Sequence, residues 1–174
     1  MNRHPGGEEH TRRMLATAGL MPGKRIIDLG AGAGEAVLLM RSLGYDAQGL
    51  DLSPRASFVS QGDLLHTALP DAEFDAVLSQ CAFFVSGDPE GALAEAHRIL
   101  KKGGLLLLSD VFTADPRALL RRSHFSLLHL EDLTNQWREY YLEALWREEP
   151  ACEKVHGRVR YYFVLGRREE DGSV

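Results

Sequence analysis

The chain has 174 residues, 44% of them hydrophobic and 26% charged, with a formal net charge of −5. That length and balance fit one soluble globular domain spanning residues 1–174 and exclude disorder, collagen and coiled coil as readings of the whole. The acidic excess argues against a nucleic-acid partner. Two cysteines, Cys81 and Cys152, supply neither a disulfide framework nor a Cys-rich zinc site.

The first ten residues are polar and lack the apolar core of a signal peptide. The longest apolar stretch, Leu105 to Leu108, has the length of a buried strand, far short of the roughly 18 residues a membrane span needs. No membrane association and a cytoplasmic location are expected.

In chain order, Thr11 to Leu20 places Met14, Leu15, Ala18 and Leu20 on one face of a short helix, closed by the turn Met21-Pro22-Gly23. Arg25 to Leu29 reads as a buried strand running into Gly30-Ala31-Gly32-Ala33-Gly34. Glu35 to Leu43 has helical spacing and ends at Gly44. Asp46 to Leu50, closed by Asp51, is a second strand, Ser57 to Gln61 a third and Phe74 to Ser79 a fourth. Asp88-Pro89 starts a helix, Asp as cap and Pro in the first turn. Lys101 and Lys102 suit its negative end and Gly103 its stop. Leu105 to Ser109, continuously apolar, is a fifth strand of a parallel sheet covered on both faces. The tail reads as a helix over Pro116 to Arg122 and a strand over Phe125 to Leu130. A helical stripe from Leu133 to Leu145 follows, stopped by Pro150, and then a last strand over Arg158 to Leu165. Strands alternating with helices predict an α/β, Rossmann-like, doubly wound and mostly parallel seven-stranded sheet.

A strand, a glycine-rich turn and a helix make a ligand-binding arrangement, because glycine permits a sharp turn and a close backbone approach. Asp51, 21 residues after Gly30 at the end of the second strand, is placed to accept hydrogen bonds from two ribose hydroxyls. The dinucleotide fingerprint needs glycine where Glu35 stands, and an acid there repels a pyrophosphate. The Gly-Lys-Ser/Thr of a triphosphate loop is absent. A nucleoside cofactor without phosphates remains, and S-adenosylmethionine is such a molecule.

On the segments Ile26-Ile27-Asp28-Leu29-Gly30-Ala31-Gly32-Ala33-Gly34, Gly49-Leu50-Asp51-Leu52-Ser53, Gly62-Asp63-Leu64, Leu69-Pro70-Asp71, Phe74-Asp75-Ala76-Val77 and Arg98 to Gly104, the sequence resembles the class I S-adenosylmethionine-dependent methyltransferases. The resemblance covers roughly residues 20–112. It implies that Asp28 holds the methionine amino end and that Gly30, Ala31, Gly32 and Gly34 line the methionine moiety. Asp51 would bind the ribose, Leu52 pack on the adenine and Asp63, with Leu64 beside it, accept from the adenine amino group. Ser79 and Gln80 would face the methionine part with their backbone, and Pro5-Gly6-Gly7 would close over the cofactor.

Two departures stand out. Only about five residues separate Asp51 from the third strand, where a crossover takes a dozen or more, so the usual helix there is reduced to a turn around Pro54, leaving one sheet face under-covered. A long helix also separates the last two strands, where the family has a hairpin. The missing helix predicts a two-fold homodimer, through that face or the Trp137–Trp146 helix.

Phe83, Phe84, Asp110 and His124 are candidates on the substrate side. Asp75 reads as a structural turn acid and Cys81 as a small buried residue without a motif-paired base. The histidines show no metal spacing, so no metal is expected. No general base stands out. The acceptor is then a nucleophile already reactive, or a base lies in the tail. A small-molecule acceptor is expected. A non-catalytic S-adenosylmethionine-binding regulator or scaffold is the alternative, and a nucleotide-dependent oxidoreductase a more distant one.

Overall fold

The computed structural model describes residues 5–146 and 159–170. Seven strands form one sheet in the order β3-β2-β1-β4-β5-β7-β6. They are β1 (Arg25–Leu29), β2 (Asp46–Asp51), β3 (Ser60–Gln61), β4 (Phe74–Gln80), β5 (Leu100–Phe112), β6 (Phe125–Asp132) and β7 (Arg160–Arg168). The first five run parallel and β7 lies antiparallel between β5 and β6. The order reverses between β1 and β4, and at such a switch the carboxyl ends of an open sheet leave a ligand crevice.

The helices are α1 (Gly7–Ala18), α2 (Glu35–Ser42), α3 (Pro89–Ile99), α4 (Pro116–Arg122) and α5 (Thr134–Trp146). One core contains Leu93, Leu120 and Phe125, from α3, α4 and β6, against the sheet. A second contains Met14, Val37, Trp137 and Tyr161, from α1, α2, α5 and β7. The uninterrupted burial of Leu106, Leu107 and Leu108 follows from this double cover.

Three expectations need correction. The first helix starts at Gly7, four residues earlier than predicted, after Gly6 takes a left-handed conformation, and it ends at Ala18. The third strand keeps only Ser60 and Gln61, because Phe58 and Val59 fold back to where a side chain on Gly34 would stand. The helix from Pro89 ends at Ile99, and Lys101, Lys102 and Gly103 belong to β5, which starts at Leu100 beside Phe74. Lys101 there pairs with Asp75 at 3.1 Å. The segment after Asp51 is bends and turns, as expected. Phe58 lies under the Arg41 guanidinium, 5.5 Å from the ring centre. The helix α5 does separate β6 from β7. Pro150, Cys152 and His156 lie outside the described residues.

Candidate cofactor cleft

The glycine loop leaves β1 at its carboxyl end. Gly30 N and Ala31 N donate to Leu50 O at 2.8 and 3.1 Å, which fastens the loop to β2. Gly30 has a φ of +88°, and a Cβ there would stand 2.3 Å from the Ala82 Cβ, so only glycine fits. Gly32 is hemmed in differently: a Cβ would meet the Arg55 guanidinium at 2.5 Å. Arg55 N donates to Gly32 O at 2.9 Å, so the shortened segment after β2 folds over the loop.

Asp51 accepts from Gly32 N and Ser53 N, both at 2.8 Å. Asp28 is 4% exposed, and none of the described residues donates a hydrogen bond to it. Burial first, and the negative charge of Asp51 second, push its carboxyl up to about 7. Asp28, Gly30, Ala31, Gly32, Gln80 and Arg55 border one cleft of about 80 Å³. Leu52, 68% exposed, lies just beyond Asp51. Asp63 is exposed two residues past β3, its Oδ1 accepting from Leu65 N at 2.9 Å, while Leu64 packs on the core. The acids and the loop therefore share the carboxyl edge of the sheet.

Ser79 and Gln80 differ in role. Ser79 is fully buried, and its hydroxyl donates to Leu29 O at 2.7 Å, tying β4 to β1. Gln80 Oε1 accepts from Thr11 Oγ1 at 3.2 Å, which docks α1 on the cleft. Pro5, Gly6 and Gly7 lead into that helix.

On the proposed substrate side, Phe83 is buried and Phe84 partly so. Both line a cavity of about 230 Å³ between α3 and α4, with Leu93, Phe112 and Leu119. An ion pair between Arg122 and Glu90, 2.9 Å, links the two helices at this cavity. Asp110 also borders it, but its carboxylate is turned to the chain, accepting from Phe83 N at 2.9 Å, Phe84 N at 3.2 Å and Val111 N at 2.7 Å. Burial pushes that acid up to about 6 against the amides that lower it. Its role in the structure is to hold the loop after β4. His124 is set apart altogether. It precedes β6, its carbonyl accepts from Glu169 N, and its ring lies 6.0 Å from that of His97, at the edge opposite the cleft.

Arg55 was missed because nothing local in Ser53-Pro54-Arg55 shows that the chain turns back over Gly32. Among the described residues no group of three or more His, Cys, Asp or Glu is placed to hold a metal ion, and no helix is long and apolar enough to cross a membrane.

Residues 27–108 match a family described as a methyltransferase domain. The malonyl-[acyl-carrier protein] O-methyltransferase of Serratia marcescens is 31% identical over 109 residues, 57% of this chain and 43% of that protein. The demethylmenaquinone methyltransferase of Renibacterium salmoninarum is 34% identical over 119 residues, 60% of this chain and 49% of its own length. The match thus spans less than half of either curated relative. Among solved structures, Haemonchus contortus phosphoethanolamine N-methyltransferase 2, in complex with phosphomonomethylethanolamine and S-adenosylhomocysteine, superposes with a TM-score of 0.75 at 17% identity, over 96% of this chain and 54% of that one. That likeness concerns the fold. The glycine loop and the acid ending β2 both fall within residues 27–108, the part of the chain that is similar to a methyltransferase domain.

Proposed function

We propose that the protein binds S-adenosylmethionine in the cleft at the carboxyl ends of β1, β2 and β4 and transfers its methyl group to a small acceptor. The observation that carries this is the pair of acids flanking the glycine loop, close enough for Asp51 to help raise Asp28. A buried carboxylate without a described donor suits a ligand ammonium, which would restore its ionised form. Asp51 keeps lone pairs for ribose hydroxyls beyond the two amides it already holds. Gly30 and Gly32 allow the methionine chain to approach the backbone, Leu52 offers an apolar face for the adenine, and Asp63 with Leu64 lies within the same edge. Bound there, the cofactor supplies a methyl carbon already activated as a sulfonium.

The protein's share is then alignment, which is worth roughly 7–11 kcal/mol of a barrier. The cavity under Phe83 and Phe84 supports an acceptor with an apolar body. In the same reading the protein acts as a two-fold homodimer.

Titration calorimetry with S-adenosylhomocysteine tests the cofactor, and transfer of labelled methyl from S-adenosylmethionine into a panel of small acceptors tests the reaction. Saturable binding with no transfer to any acceptor would favour a non-catalytic binder. Absence of binding would reject both.

A further inference from the structure

Arg55 stands in the turn that follows β2, and its backbone N–H donates to Gly32 O at 2.9 Å. Its side chain lies the same way. Nη2 is 2.5 Å and Cζ 3.6 Å from the point where a Cβ on Gly32 would stand, so the glycine makes room for the guanidinium. Other arginines of the chain are engaged. Arg25, Arg98 and Arg122 hold carboxylates, and Arg41 donates to Ala47 O at 2.8 Å. The Arg55 guanidinium makes no hydrogen bond or ion pair with any described residue.

Among the described residues that border the cofactor cleft, three carry charge: the acids Asp28 and Glu35 and the cation Arg55. Glu35 opens α2 and is exposed. Asp28 is 4% exposed, and no described residue donates to it, which independently marks the cleft as built for a ligand. The open volume of about 80 Å³ is far below the roughly 300 Å³ that encloses a whole small molecule. The cleft therefore encloses one end of a ligand, while the rest lies along the open edge beside Asp51 and Leu52. An end group with an ammonium for Asp28 and a planar anion for Arg55 satisfies both walls. A carboxylate takes two parallel N–H bonds from a guanidinium, and with Glu35 on the same wall an anion needs that cation to stay.

Resting on the cofactor reading above, we propose that Arg55 binds the carboxylate of the cofactor's amino-acid end, opposite the ammonium that Asp28 holds, so that the cleft selects a ligand bearing both charges. The shortness of the turn after β2 then has a use, because it lays a cation over the glycine loop. A ligand with the nucleoside and the ammonium alone meets Asp51 and Asp28 but leaves Arg55 without its partner.

Titration calorimetry with S-adenosylhomocysteine and its decarboxylated analogue tests this, since the analogue keeps the nucleoside, the thioether and the ammonium. The parent should bind the complete ligand about ten- to a hundred-fold more tightly, the size of a hydrogen bond to a charged group. Arg55→Gln should weaken S-adenosylhomocysteine by that factor and leave the analogue unchanged, so that the two ligands become alike. Arg55→Lys, which keeps the charge without the fork, should fall between. The backbone tie to Gly32 is present in both variants. Arg55→Gln weakening the two ligands equally would give Arg55 a role in shaping the loop and overturn the proposal. Unchanged binding of S-adenosylhomocysteine by that variant, or a parent that binds both ligands alike, would overturn it too. A parent that binds neither ligand would instead overturn the cofactor reading on which the proposal rests.

Discussion

Asp28 holds one proton more in the folded chain than in the unfolded one between about pH 4, the ordinary aspartate value, and about 7. Stability therefore falls as pH rises through that window, and the full cost, about 4 kcal/mol at most, is present above it. Asp110, raised to about 6, acts in the same direction. Asp28→Asn is expected to melt higher than the parent near pH 8 and alike near pH 4, by calorimetric scanning. The ligand ammonium reverses the sign for binding: affinity for S-adenosylhomocysteine should rise between pH 6 and 8, with proton release detected as a buffer-dependent heat. Affinity flat with pH would show that Asp28 does not meet the ammonium. Asp51→Ala should weaken the same ligand by roughly 1.5–3 kcal/mol, the size of a charged hydrogen bond. Asp63→Ala should cost less, since only an adenine contact is lost, and a reversed ranking in titration would move the adenine elsewhere.

At the scale of elements, the loop after β4 depends on one acid in β5. Asp110→Ala leaves the Phe83 and Phe84 amides without their buried acceptor, at about 1–3 kcal/mol. Urea unfolding should show that loss, and Phe83 should shift in the cavity. What could be read in the sequence was local. Asp88 and Asp115 cap α3 and α4, accepting from Gly91 N at 2.8 Å and Arg117 N at 2.9 Å, with Pro89 and Pro116 beside them. The glycine loop and Asp51 likewise need only neighbours and a strand end. What could not be read depended on partners. Gly103 is a helix stop by composition, yet pairing of Leu100 with Phe74 makes its surroundings strand. The tie between His10 and Ser109 spans 99 residues, and that between Ser109 and Tyr161 spans 52. No spacing within a helix or strand encodes such a meeting. His124, placed near the substrate by chain order, follows α4 back to the far edge of the sheet.

For the whole molecule, α5 and the edge strand β6 carry apolar side chains that nothing in the described chain covers. Leu128 is 45%, Leu142 55% and Trp146 88% exposed. A two-fold dimer buries such a surface against itself, and light scattering at micromolar concentration should give twice 19.3 kDa. A mass near 19.3 kDa would place the chain as a monomer. The folding back of the segment after β2 has a different consequence. Gly32 is fastened by both its backbone groups, N–H to Asp51 and carbonyl to Arg55, while Gly30 and Ala31 are fastened to Leu50 and Gly34 N to Ala31 O. The stretch richest in glycine is thus bound into the sheet like a strand. Its amides should exchange with deuterium as slowly as those of β1 and β2, before any ligand is added. A cofactor that meets so rigid a cradle has little loop freedom to quench, so its arrival should leave the exchange of this stretch nearly unchanged and spend its binding free energy on contacts instead.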